Sequence, residues 1–381
     1  MSLPRLGVRS IAPAALAALV LIVALGVVLT RGGGSPAVDV QSTATTGGLA
    51  YAEFGPTADR VFIAAPGNLA DRRLVVTIDH VEGWGINPAF SVAGSRAAYT
   101  VLPAGSRPLR DSPAELWLLD LESGEQRRLA GDADLLVQPV FDATGEALVY
   151  RSTRADGSQE IVRVDLGTNI RRPAYTYRGE FGAFPAGVTP DGEVIVAALS
   201  TKGTDLLAVR EGGSPRLVAH ASDQIARDWR LSPDGTEVSY LAPELLGERW
   251  VHRLHVVSVE DGASRLGDAT AAARAEQFGP VWMPGGDAVT VGYEAYPASS
   301  APASTVSLAD GSEQPLAAPA AGFDVPLGWS PDGRYLAARS FEGATSYEPG
   351  RETMVVISAD GERWSLSATT EVIFMGWTAR G

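Results

Sequence analysis

Trp329-Ser330-Pro331-Asp332-Gly333 runs directly into the alternating stretch Arg334-Tyr335-Leu336-Ala337-Ala338-Arg339. Proline presets φ at the second position of a tight turn, aspartate bonds nearby backbone, and glycine accepts the left-handed conformation that closes it. The same five-residue pattern returns as Phe90-Ser91-Val92-Ala93-Gly94, Phe141-Asp142-Ala143-Thr144-Gly145, Val188-Thr189-Pro190-Asp191-Gly192, Leu231-Ser232-Pro233-Asp234-Gly235 and Trp282-Met283-Pro284-Gly285-Gly286. A seventh copy, Trp377-Thr378-Ala379-Arg380-Gly381, stands last. From Gly94 to Gly381 the closing glycines are spaced by 51, 47, 43, 51, 47 and 48 residues. A period of this length signals an array of small β-sheets.

Each unit also carries a hairpin. Leu116-Trp117-Leu118-Leu119-Asp120-Leu121 turns through Glu122-Ser123-Gly124-Glu125 into a return strand at Arg127-Arg128-Leu129. Similar hairpins begin at Leu254 and Met354 and turn at Glu260-Asp261-Gly262 and Ala359-Asp360-Gly361. Alternation bounded by Asp-Gly or Ser-Gly reads as strand, turn, strand. Four short strands per unit make one blade of a β-propeller.

The last motif needs partners from elsewhere in the chain. Leu49 to Phe54, Arg60 to Ala65 and Arg73 to Ile78 are three strand patterns ahead of the first motif. They fit as the second, third and fourth strands of a blade whose first strand is Val372 to Trp377. The expected fold is therefore all-β, a seven-bladed β-propeller over residues 48–381, closed by pairing of the N- and C-terminal strands. Closure removes the exposed sheet edges of an open array.

Ile11 to Thr30 is a charge-free run of twenty residues, long enough to span a bilayer core of about 30 Å. Arg5 and Arg9 precede it, which predicts a short cytoplasmic N-terminus over 1–10, a signal-anchor transmembrane helix over 11–30 and an extracytoplasmic propeller. The other reading is a signal peptide cleaved before Val38, giving a secreted or periplasmic protein. Residues 31–47, rich in Gly, Ser, Thr and Ala, read as a flexible tether.

The Trp-Ser-Pro-Asp-Gly turn, its following strand and the Leu-Trp-Leu-Leu-Asp-Leu hairpin resemble the TolB-type, WD-like propeller repeat of bacterial envelope proteins. The resemblance extends over residues 48–381 and implies fold more than function, because the same blade occurs in TolB, in propellers of prolyl-oligopeptidase-type peptidases and in other proteins. The separate domain that precedes the propeller in TolB has no counterpart here.

No Gly-x-Ser-x-Gly occurs, and no residues are left for an α/β-hydrolase domain. Cysteine is absent, which excludes thiolate catalysis, a disulfide framework and Cys-ligated metal. Of the four histidines, His252 and His255 are spaced i, i+3, which on a strand points them to opposite faces, so no metal site is expected. No cofactor is called for. A formal net charge of −14 argues against nucleic acid and against adhesion to anionic lipid.

Turn geometry assigns Asp191, Asp234 and Asp332 to structure. Trp229, Trp282, Trp329 and Trp377 are expected to fill space between blades. The candidate ligand-binding residues are those leading into each innermost strand, at one mouth of the central channel: Asn87, Gln138, Asp228, Gln277, Asp324 and Glu371. Their acidic and amide character suits a cation, an amine or a basic peptide segment. The expected function is a membrane-tethered scaffold in the cell envelope that binds a protein or a small ligand. The alternative is a propeller hydrolase or lyase with a divalent ion at the channel mouth.

Overall fold

Strand after strand is set by the same turn. In the computed structural model Gly333 N–H donates to Ser330 O at 2.8 Å and Ser330 N–H to Tyr335 O at 2.7 Å, while Ser330 Oγ donates to Asp332 Oδ1 at 2.6 Å. Ser232 and Thr189 repeat that network with Asp234 and Asp191, at 2.5 Å in each case. In the copy at 141–145 the roles are exchanged, and Thr144 Oγ1 donates to Asp142 Oδ1 at 3.0 Å. The motif aspartates are therefore turn residues. Successive turns also touch: Gly235 has φ +76°, and a Cβ there would lie 2.3 Å from Cδ of Pro190, the proline of the preceding turn.

The structure describes residues 48–378 apart from 92–93, 108, 110–111, 155, 267–275 and 369. The expected cytoplasmic segment 1–10, transmembrane helix 11–30, tether 31–47 and final residues 379–381 lie outside the described residues. All regular elements described are β-strands.

The strands fall into consecutive groups of four, each an antiparallel meander. The first group after residue 80 is Asn87–Phe90, Arg96–Val101, Ala114–Asp120 and Gln126–Ala133. The next is Val140–Phe141, Ala147–Thr153, Gln159–Asp165 and Arg171–Tyr177, joined to it by one pairing, Ala133 with Ser152. Then come Gly182–Val188 to Arg216–Ser222, and Arg227–Leu231 to Ser264–Leu266. Gln277–Trp282 to Glu313–Pro315 and Gly322–Trp329 to Arg363–Ser365 follow, the latter with a short parallel strand, Ser300–Ala301, on its inner edge. The remaining group joins distant parts of the chain. Val372–Trp377 pairs antiparallel with Leu49–Glu53, which pairs with Ala58–Ala65, which pairs with Asn68–Asp79.

Contacts among the first strands run in order from group to group, and Val372–Trp377 touches both Gly322–Trp329 and Asn87–Phe90. The core lies between the sheets rather than within any one of them. One cluster joins Leu49, Tyr51 and Trp377 of the terminal group to Ala337, Met354 and Val356 of the group before it. Second-strand tyrosines, Tyr51, Tyr99, Tyr150 and Tyr240, are fully buried in these layers. The motif tryptophans lie in the same layers, as expected. Trp282 Nε1 donates to Arg230 O at 2.9 Å, Trp329 Nε1 to Thr290 Oγ1 at 2.8 Å and Trp377 Nε1 to Gly328 O at 2.9 Å, each in the preceding sheet.

The innermost strands have a shared irregularity. Their register slips between Pro185 and Gly187, Arg227 and Arg230, Phe278 and Val281, and Pro326 and Gly328, shortly before the motif residue in each case. A bulge redirects the side chains around it. In Arg227–Leu231 it brings Asp228 to φ 58°.

Candidate functional site

The residues leading into the first strands occupy different environments. Asp324 is fully buried, and Arg363 grips it with two hydrogen bonds, Nη1 to Oδ2 at 2.8 Å and Nη2 to Oδ1 at 3.0 Å. A fork-on-carboxylate pair of this kind satisfies both partners and leaves the carboxylate closed to a ligand. Gln277 is also fully buried, and its Oε1 accepts the Leu254 N–H at 2.6 Å. Neither is a free rim group. Both were placed at the mouth by their position in the repeat, which fixes a residue along a strand but not which way its side chain faces.

Asn87 and Gln138 brace neighbouring sheets. Asn87 Nδ2 donates to Leu135 O at 3.0 Å, and Gln138 Nε2 donates back to Pro88 O at 2.6 Å. Glu371 stays exposed, while its backbone carbonyl accepts the Phe54 N–H at 2.9 Å. Crowding by the protein, with the Glu352 carboxylate adding to it, raises the Glu371 pKa against the pull of Arg339. Asp228 is half-buried, with an oxygen 3.8 Å from Arg227 Nη1.

Arg230 is the side chain that the sequence reading passed over. It stands on the bulged strand Arg227–Leu231, and its Nη1 donates to Gln138 Oε1 at 3.4 Å, across 92 residues of sequence. The strands Gly182–Val188 to Arg216–Ser222 separate these two residues in the sheet order, so the contact reaches past an intervening sheet. The guanidinium is accessible to solvent yet walled by protein. Desolvation lowers its pKa, and Asp228 opposes that shift. Alongside, Trp229 stacks on Phe184 with ring centroids 5.7 Å apart, and the Arg151 guanidinium lies 4.5 Å from the Phe184 centroid. Trp229 Nε1 is buried without a hydrogen-bond partner. A signal for Arg230 exists only in retrospect: its strand, Arg227-Asp228-Trp229-Arg230-Leu231, carries three charged residues where the other first strands carry few.

The histidines are held separately. His252 Nδ1 lies 2.6 Å from Glu276 Oε1, whereas His255 Nε2 lies 2.8 Å from Glu244 Oε1 and its ring stacks on Tyr240. Among the described residues no three histidine or carboxylate side chains gather as a metal site.

No family model and no curated protein matches the sequence. Solved structures do. Oligogalacturonate lyase from Vibrio parahaemolyticus is similar at TM-score 0.56 and 12% identity, over 85% of this chain and 86% of that one. The β-propeller domain of the Trilobed protease from Pyrococcus furiosus is similar at TM-score 0.54 and 13% identity, over 85% of this chain and 99% of that one. TolB from Acinetobacter baumannii matches at TM-score 0.49 and 16% identity, over 88% of this chain and 67% of that one. At such identities the likeness concerns fold alone, and with the repeated antiparallel sheets it shows that this chain folds as a β-propeller.

Proposed function

We propose that the sheets close into a seven-bladed ring, tethered to the membrane by residues 11–30, that faces outward and serves as a binding scaffold in the cell envelope. The cyclic order of first-strand contacts and the pairing of Val372–Trp377 with Leu49–Glu53 support the closed ring. The charge-free run and the arginines before it support the anchor. The observation that carries the binding reading is the Arg230–Gln138 contact past an intervening sheet. A guanidinium and an amide are recognition groups, and an arginine keeps its proton throughout the physiological range, which suits it to holding a ligand rather than to moving protons.

The hydrolase or lyase reading requires carboxylates free to hold a divalent ion at the mouth. Asp324 is closed by Arg363, which leaves Asp228 and Glu371 of the carboxylates proposed for the rim. Crosslinking on intact membranes, followed by purification of the chain, tests the choice. Envelope proteins recovered with it, and a melting temperature indifferent to Ca²⁺ or Mn²⁺, are expected. A melting temperature that rises with either ion, with no crosslinked partner, would move the assignment to the enzyme reading.

A further inference from the structure

Arg230 has more hydrogen-bonding capacity than its surroundings use. A guanidinium carries five N–H donors, and the contact to Gln138 Oε1 engages one of them at 3.4 Å, the long end of the range. Among the described residues no carboxylate lies within ion-pair distance of it. Asp228, whose charge acts on it, lies 3.8 Å from Arg227 Nη1. The contrast with Asp324 and Arg363 is instructive, because there the same guanidinium chemistry meets a carboxylate in a two-pronged pair. A chain of net charge −14 repels anions at long range, so any anion that enters must be held by a specific contact.

We propose that Arg230 is the receptor for an oxyanion, the carboxylate or phosphate group of a ligand entering the enclosed centre. The fork of the guanidinium takes two oxygens of the anion while Gln138 keeps the side chain extended across the opening. Asp228 acts against the bound anion and limits its affinity. This assignment rests on the binding reading of the mouth and names the chemistry of its ligand, which is the reverse of the cationic ligand that the sequence suggests.

The test is thermal unfolding of the full chain in detergent, titrated with succinate or inorganic phosphate at constant ionic strength made up with chloride. The melting temperature of the wild type is expected to rise with the logarithm of anion concentration beyond the midpoint. Arg230→Gln should weaken apparent affinity about ten- to hundredfold, the loss of a charge-assisted pair. Arg230→Lys, which keeps charge but not the fork, should fall between, and Asp228→Asn should bind several-fold more tightly than wild type. A response to succinate alone assigns a carboxylate ligand, and a response to phosphate alone assigns a phosphate. The proposal is overturned if chloride gives the same rise, or if the glutamine and lysine variants titrate like wild type. Crosslinked partners that persist while the wild type shows no anion response would sink this inference and leave the scaffold reading standing. Loss of both would remove the two together.

Discussion

Trp377→Ala tests whether the last strand is as firmly built in as the internal ones. Trp377 is 5% exposed and packs among Leu49, Tyr51, Phe62 and Leu69 from the start of the propeller and Ala337, Met354 and Val356 of the neighbouring sheet. Its ring stacks on Tyr335 at 6.3 Å, and its Nε1–H satisfies the Gly328 carbonyl at 2.9 Å. Truncation to alanine removes the ring and leaves that carbonyl without its donor, a total of about 3 to 5 kcal/mol for a buried tryptophan. The internal counterpart, Trp329, is 9% exposed and donates to Thr290 Oγ1, so Trp329→Ala should cost about the same, within about 1 kcal/mol. Trp250, 56% exposed, gives the reference, with an expected change of no more than about 0.5 kcal/mol. In a chain of this length about 2 °C of melting temperature accompanies each kcal/mol, which predicts drops of about 6 to 10 °C for the two buried sites. Circular dichroism during heating measures all three. If Trp377→Ala behaved like Trp250→Ala while Trp329→Ala lost its full share, the terminal strand would be loosely held and ring closure through it refuted.

The periodic turns carried most of the architecture into view from sequence alone. Ser-Pro-Asp-Gly turns and Asp-Gly hairpins are local devices, with their hydrogen bonds made within five residues, so their residue types announce them. The pairing of Leu49–Glu53 with Val372–Trp377 was legible for a different reason: the strand patterns before the first motif and the bare last motif complement each other. Side-chain direction at the mouth was not legible. Gln277 and Asp324 stand where the repeat places a rim residue, yet both are fully buried, and the residue that pairs with Asp324, Arg363, comes from the outermost strand of the same sheet. Arg230 was hidden as well. An alternating reading of Arg227–Leu231 cannot foresee a bulge with Asp228 at φ 58°, and it is that bulge which sends the guanidinium toward Gln138. Of the acidic residues expected at the mouth, Asp324 is committed to Arg363, which position in the repeat cannot announce.

The contact between turns predicts unequal costs for one substitution. Gly235→Ala combines a left-handed backbone, about 1 to 2 kcal/mol, with a Cβ 2.3 Å from Pro190 Cδ, whereas Gly286→Ala meets Pro233 Cδ only at 3.8 Å and should show the backbone part alone. Urea midpoints measured side by side decide this, and equal values would refute the stacking of glycine on the preceding proline. A last prediction concerns pH. His80 is buried beside Asp59, with Nε2 3.2 Å from Oδ1 and Nδ1 2.8 Å from the Val81 carbonyl. Burial alone would depress its pKa, but the hydrogen bonds to Asp59 and Val81 and the charge of Asp79 outweigh it, and the net shift is upward. A histidine whose folded pKa exceeds the unfolded value of about 6.5 contributes stability that is fully present below about pH 6.5 and is lost as pH rises through the folded value. His80→Gln should therefore destabilise the protein more at pH 5.5 than at pH 9. Melting temperatures of both forms across that range check it, and a gap between them that does not narrow with rising pH would show that the buried ring is neutral and held to Asp59 as an uncharged hydrogen-bonding group.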